Sequence, residues 1–230
     1  MKSKVLVVIP AYNEALNIEK TIYDIQKNAS DVDYVIINDG SKDNTLEVIE
    51  KNKFNYIDGF CNLGLFGAVQ TGFKLALQDD YDIVIQFDGD GQHSAEYIKY
   101  MVEEIEKGND IVIGSRFVTE KKPFTARMLG SRLIAFAIKL MTGAVLTDPT
   151  SGFRAYDRNC IHDYANDMNN PPEPDTLVYM LRKNRKIKEI QVQMSDREFG
   201  ESYLNLANTI KYMSRMMVSI FLIQPFRKVK

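Results

Sequence analysis

The chain has 230 residues, 45% of them hydrophobic and 26% charged, and a formal net charge of -2. That length suits one compact unit with a sizeable core, and a near-neutral chain without aromatic residues alternating with basic clusters is excluded as a nucleic-acid binder. The two cysteines, Cys61 and Cys160, show neither metal-ligand spacing nor a disulfide framework, which points to a reducing cytoplasm and inert thiols.

The opening MKSKVLVVIPAYNE breaks its apolar run at Pro10, continues to Glu14 and has no small-residue cleavage site, so it reads as a first strand rather than a leader. EALNIEKTIYDIQKN then places Ile18, Ile22 and Ile25 at i, i+4 and i+7, a helical stripe. Strand-like runs follow in YVIIND from 34, NYIDGF from 55, IVIQFD from 83 and DIVIGS from 110. A second helical stripe, Ile98, Met101, Val102 and Ile105, ends at Gly108. This alternation predicts a parallel sheet covered on both faces, with ligands bound outside the carboxyl ends of its strands. The polar clusters sit there: Asn13 with Glu14, Asn38 with Asp39, Asp88 with Asp90, Ser115 with Arg116. Beyond residue 120 come a helix over 125–142, the Pro-rich PPEP from 171 and a late strand in KIKEIQVQMSDR. The first part reads as a nucleotide-binding half and the second as the acceptor half. No stretch approaches the roughly 20 apolar residues of a membrane-spanning helix.

The segment QFDGDGQH carries the chemistry. In an extended strand Asp88 and Asp90 face the same way, and two carboxylates so close call for a cation between them. Oxygen ligands favour a hard divalent ion, Mg²⁺ or Mn²⁺. A calcium loop is excluded, because His93 and Lys99 stand where its glycine and glutamate belong. On these residues alone a solvated Asp-Gly turn stays open. A dinucleotide fingerprint is absent, since PAYNEALN contains no glycine, and no GK[ST] loop occurs.

The motifs VVIPAYNE, INDGSKDNT, NLGLFGAVQTGFKLA, DGDGQH, GSR and DPTSGFRAY, in this order, resemble family 2 glycosyltransferases of the GT-A fold, closely over residues 4 to about 160. Their spacing resembles the dolichyl-phosphate mannosyltransferase and polyprenyl-phosphate glycosyltransferase branch. The resemblance implies an α/β, Rossmann-like, mostly parallel sheet flanked by helices, followed by C-terminal amphipathic helices. It implies that Pro10, Tyr12, Glu14 and Asp39 surround the base and ribose of a nucleotide sugar, with Gly64 letting the next helix start close by. Asp88, Asp90 and Gln92 would hold the metal and diphosphate, with His93 as a neighbour only. Arg116, Arg127 and Ser131 match positions that hold a lipid phosphate, a task suited to the planar arginine fork, and Arg197 is grouped with them in a segment placed to close over the diphosphate. Asp148 matches the acid near the reacting centre: an orienting group for a phosphate acceptor, which is already ionised, or a base for a hydroxyl. Glu173 and Asp175 are further candidates for acceptor or sugar contacts.

The expected activity is inverting, metal-dependent transfer from a UDP-linked sugar such as UDP-GlcNAc or UDP-glucose to polyprenyl (undecaprenyl) phosphate, serving cell-surface polysaccharide synthesis or modification. A sugar hydroxyl or diacylglycerol acceptor, and a non-catalytic nucleotide-sugar-binding module, stay open as alternatives. The expected organisation is a catalytic domain over 1–200, divided near 118, and a helical segment over 201–230. The helix at 125–142 and the C-terminal stretch carry apolar faces with basic borders, Arg132 and Lys139 on one, Lys211 and Arg215 on the other. These suit attachment to the cytoplasmic face of the membrane, a small membrane-protein partner or a homo-oligomer.

Overall fold

The computed structural model describes residues 3–166, 172–195 and 206–228, and of residues 126, 127 and 206–210 it describes the backbone alone. The elements run β1 (Val5–Ala11), α1 (Ile18–Asn28), β2 (Asp33–Asn38), α2 (Thr45–Lys51), β3 (Tyr56–Asp58), α3 (Gly64–Gln78), β4 (Ile83–Gln86) and α4 (Ile98–Glu106). They continue with β5 (Ile111–Ser115), α5 (Ala126–Thr142), β6 (Arg154–Asp157), α6 (Arg158–Asn166), α7 (Thr176–Arg182), β7 (Ile187–Gln191) and α8 (Leu206–Val218), which passes into a π-helical turn over Ser219–Ile223.

The strands form one seven-stranded sheet in the order β3-β2-β1-β4-β6-β5-β7. All neighbours are parallel except β6, which runs antiparallel between β4 and β5. The expected mostly parallel sheet is thus present, and β6 is the strand its apolar pattern did not announce. Its reversal brings the loop before Arg154 to the edge where β1, β2, β4 and β5 end.

Both faces of β1 are buried, as a central parallel strand requires. Val5, Val7 and Ile9 join Ile18, Ile22 and Met101 beneath one face, while Leu6 and Val8 join Phe73, Ile134 and Ile138 beneath the other. Gly72 lets α3 press onto β1, because any side chain there would collide with Val8. Met216 and Ile220 belong to the same core as Leu6 and Val8, so the C-terminal helical segment is structural as well as superficial.

The loop at Glu173 and Asp175 holds that segment. Arg215 Nη2 donates to both oxygens of Glu173, at 2.6 and 2.9 Å, and Asp175 accepts from Ser219 and from Gln224 Nε2. These two acids, candidates for acceptor or sugar contacts, bond to the C-terminal segment, which only the fold brings to them from 40 to 50 positions away. Burial raises the Glu173 carboxyl above its ordinary range although Arg215 pulls it down.

Candidate active site

The carboxyl edge of the sheet collects the predicted nucleotide residues. Pro10 is buried at the end of β1, and Tyr12 next to it exposes 40% of its surface. Glu14 is buried and accepts from Asn17 Nδ2 at 2.7 Å. Asp39, also buried, accepts the Leu63 N–H at 2.8 Å and so ties the end of β2 to the entry of α3. Gly64 opens that helix at φ +76°, in the left-handed region that favours glycine. Pro10, Glu14 and Asp39 therefore build the floor of this edge, and Tyr12 offers the exposed face.

The acidic pair lies beyond the end of β4, in a turn with Gly91 at φ +76° rather than in extended strand. The strand alternation argued for Asp88 and Asp90 does not extend to them; the turn brings them to this edge instead. Gly89 fits under the end of β1, where a methyl group would stand 3.1 Å from the Pro10 carbonyl oxygen. Burial works against ionisation of Asp88, but the hydrogen bond and charge of His93, the Gln86 side chain and the Arg154 charge outweigh it and hold the carboxyl below its usual value. His93 Nε2 lies 3.2 Å from Asp88 Oδ2, and its ring is stacked 4.9 Å from that of Phe153. Asp88 Oδ1 is buried without a hydrogen-bond partner among the described residues. Asp90 Oδ1 accepts the Gln92 N–H at 3.1 Å, and Gln92 Nε2 donates to the Ser195 carbonyl at 3.3 Å.

A second cluster assembles on the same edge. Asp148 is fully buried, and Arg116 grips it with Nε to Oδ2 at 2.8 Å and Nη2 to Oδ1 at 3.1 Å. Thr150 Oγ1 lies 3.1 Å from Asp148 Oδ1 and 3.0 Å from Ser131 Oγ, which accepts from Lys122 Nζ at 2.9 Å. Glu189 on β7 clamps the loop by accepting the N–H groups of Thr147 and Asp148 at 2.6 and 2.7 Å. Asp148, expected beside the reacting centre, has no exposed surface and is spanned by Arg116. Arg116 and Ser131 do meet, through Asp148 and Thr150. Arg127 is helical in backbone with its side chain outside the description, and Arg197 lies outside the described residues.

The two clusters are joined by one short loop. A methyl group on Gly152 would stand 2.7 Å from Asp88 Oδ2, so residue 152 touches the acidic pair while residue 148 holds Arg116. Four residues of chain span at most about 14 Å.

Residues 6–165 match the family model described as glycosyl transferase family 2. The chain belongs to that family. This glycosyltransferase is 28% identical over 214 residues to an undecaprenyl-phosphate mannosyltransferase of Micrococcus luteus, covering 88% of each chain. It is 31% identical over 179 residues to a UDP-N-acetylglucosamine–dolichyl-phosphate N-acetylglucosaminyltransferase of Methanococcus voltae, covering 68% of this chain and 70% of the relative. Among solved structures it is similar to glucosyl-3-phosphoglycerate synthase from Mycobacterium tuberculosis in complex with Mn²⁺, UDP-glucose and phosphoglyceric acid. The TM-score is 0.68 at 18% identity, over 98% of this chain and 81% of that one. The fold is the expected GT-A fold.

The glycosyltransferase's own residues fit a divalent metal. The buried Oδ1 of Asp88, without a hydrogen-bond partner among the described residues, is an oxygen suited to a cation, and the carboxyl is held below its usual pKa by His93, Gln86 and Arg154 against the effect of burial. Among the described residues no three acidic, His or Cys side chains form a closed cage. Mg²⁺ and Mn²⁺ sites in nucleotide enzymes commonly use one or two carboxylates and leave the remaining positions to phosphate and water.

Four contributors escaped the sequence reading. His93 reads there as a neighbour, yet it holds Asp88. Gly152 lies inside DPTSGFRAY, and a glycine at the entry to a strand is a legible sign of close approach. Lys122 stands in the basic run EKKPFTAR, which carried the right charge without a partner to place it. Glu189 has no local signal at all, since it meets a loop 41 to 42 residues away.

Proposed function

We propose that this glycosyltransferase moves a sugar from a UDP-linked donor to a polyprenyl phosphate at the cytoplasmic face of the membrane, by a single inverting displacement. What carries the reading is the state of Asp148. A hydroxyl acceptor needs a base to take its proton, and the carboxylate at that position is buried and bonded through both oxygens to Arg116. A phosphate acceptor arrives ionised and needs none. The neighbouring cations Arg116 and Lys122 suit a phosphate better than a neutral hydroxyl.

On the donor side Tyr12 offers its ring to the base, with Pro10, Glu14, Asp39 and Gly64 shaping the floor beneath. Asp88, Asp90 and Gln92 would hold the divalent ion, which when bound supplies positive charge against the leaving diphosphate. His93 keeps Asp88 in place and ionised. The loop over residues 148–152 holds the acceptor group within reach of the donor, which is the positioning that turns two bound reactants into one reacting pair.

The acceptor's membrane is met by α5 and the C-terminal turn. Ser131 and Ile134 of α5 face inward, while Phe136 and Leu140 expose 63% and 64% of their surface, flanked by Lys139. Leu222, Ile223 and Phe226 are exposed beyond α8, which packs against α5, and Lys228 is exposed two residues after Phe226. An apolar face with basic edges is the pattern of an interfacial helix drawn to anionic lipid. No helix among the described residues is long and apolar enough to cross a membrane.

The test is transfer of radiolabelled sugar to undecaprenyl phosphate in detergent with Mn²⁺ or Mg²⁺, across UDP, GDP and dTDP donors. A lipid-linked product with a UDP-sugar is expected. Failure to form one with any donor, while a sugar hydroxyl or diacylglycerol is glycosylated, overturns the reading.

A further inference from the structure

The acceptor cluster contains a cation that the described residues leave without an acid. Arg116 commits Nε and Nη2 to Asp148. Arg132 donates to the carbonyl oxygens of Lys122 and Pro123, and its guanidinium lies 4.6 Å from the Phe124 ring centre. Lys122 Nζ has a single hydrogen-bond acceptor among the described residues, Ser131 Oγ at 2.9 Å, and an ammonium carries three donors. Its other neighbour is the Phe117 ring at 5.0 Å, which it shares with Arg116 at 5.1 Å.

The direction of the hydrogen bonds is set by the carboxylate at the far end. Asp148 Oδ1 accepts the one hydroxyl proton of Thr150, so Ser131 donates its own proton to Thr150 while accepting from Lys122. The hydrogen-bond chain runs from Lys122 to the buried carboxylate, and two of the ammonium donors have no acceptor among the described residues. Partial burial disfavours the charge, Arg116 and Arg132 add repulsion, and Asp148 and Glu189 offset only part of it, so the amine sits below its ordinary pKa. An arriving anion would relieve that imbalance. Phe124, two residues along, is almost wholly exposed, so this loop stands between the cluster and solvent.

We propose that Lys122 is the specificity-determining contact for the acceptor phosphate, taking its oxygens on the two unused ammonium donors, while the Arg116–Asp148 pair serves as the fixed frame behind it. The inference rests on the proposed phosphate acceptor and assigns the anchoring to a residue outside the family motifs.

The experiment compares the wild-type enzyme with Lys122→Met, Lys122→Gln and Lys122→Arg. Kinetics use undecaprenyl phosphate, and direct binding uses farnesyl phosphate by titration calorimetry, with UDP and Mn²⁺ titrated separately. Lys122→Met and Lys122→Gln are expected to raise the acceptor KM and weaken farnesyl phosphate about 10- to 100-fold, with donor KM changed less than about twofold and Lys122→Arg recovering most of the loss. Lys122→Gln keeps a donor for Ser131, so it carries the same expectation if Lys122→Met does not fold. Acceptor KM within about twofold of wild type in the folded variants, or an equal loss on the donor side, overturns the assignment. A wild-type enzyme that binds UDP with Mn²⁺ but no farnesyl or undecaprenyl phosphate overturns the acceptor reading itself, a distinct result.

Discussion

Replacing Gly152 by alanine should injure the proposed donor site while sparing the fold. The added methyl would stand 2.7 Å from Asp88 Oδ2 and 3.4 Å from its Cγ and Oδ1. Position 152 is not in the left-handed region, so alanine is acceptable to the backbone, and the obstacle is the far end of a side chain. The carboxylate must retreat by about 0.7 Å to reach ordinary contact. That movement exhausts the margin of the His93–Asp88 hydrogen bond, already 3.2 Å long. A hydrogen bond to a charged group is worth roughly 1.5–3 kcal/mol, and loss of such support around a metal ligand typically costs about 10- to 100-fold in affinity. Calorimetric titration of UDP in the presence of Mn²⁺, with Mn²⁺ binding followed independently by paramagnetic resonance, should show a weakening of that size, and the loss of stability should not exceed the roughly 1.5–3 kcal/mol of that one hydrogen bond. Unchanged affinity in the folded variant would refute the claim that Gly152 makes room for Asp88. A large fall in melting temperature would mean that the glycine serves packing instead.

Other substitutions probe the frame, the membrane face and the core. Asp148→Asn breaks the two-point grip on Arg116 and should cost about 2–3 kcal/mol, seen as a fall of roughly 5–10 °C in melting temperature, together with a large loss of transfer. Phe136→Glu combined with Leu140→Glu should reduce co-sedimentation with anionic vesicles by at least about tenfold while leaving stability within roughly 0.5 kcal/mol, since both side chains face outward. Burial raises the buried Tyr156 phenol to about 12 against the opposing pull of Arg154. A raised folded pKa means that its contribution is intact below the unfolded value near 10 and is lost as pH climbs through 12, a fall of about 2–3 kcal/mol. Tyr156→Phe should flatten this alkaline slope in denaturant titrations yet be nearly neutral at pH 7, because the hydroxyl has no hydrogen-bond partner among the described residues.

Much of the architecture is legible in local pattern. The apolar runs of β1, β2, β4 and β5 and the stripes of α1 and α4 are readable because each buries a continuous or periodic set of side chains, a property of the segment itself. The acidic pair, the arginine after β5 and the glycine at φ +76° that opens α3 are readable for the same reason, as residue types tied to a strand end. β6 is not, since four residues in an antiparallel slot depend wholly on the strands either side.

The family motifs, the order of the strands that carry them and the closeness of two acids, Asp88 and Asp90, beyond a strand end are written in neighbouring residues, where spacing and charge act over a few bonds. The partners are not. Which acid Arg116 holds, which hydroxyl takes the Lys122 ammonium, and that Glu173 and Asp175 bond to the C-terminal segment all rest on contacts between residues well separated in the chain. Such contacts exist only once the core has closed, because hydrogen bonds and ion pairs act within a few ångströms and linear spacing carries no information about them.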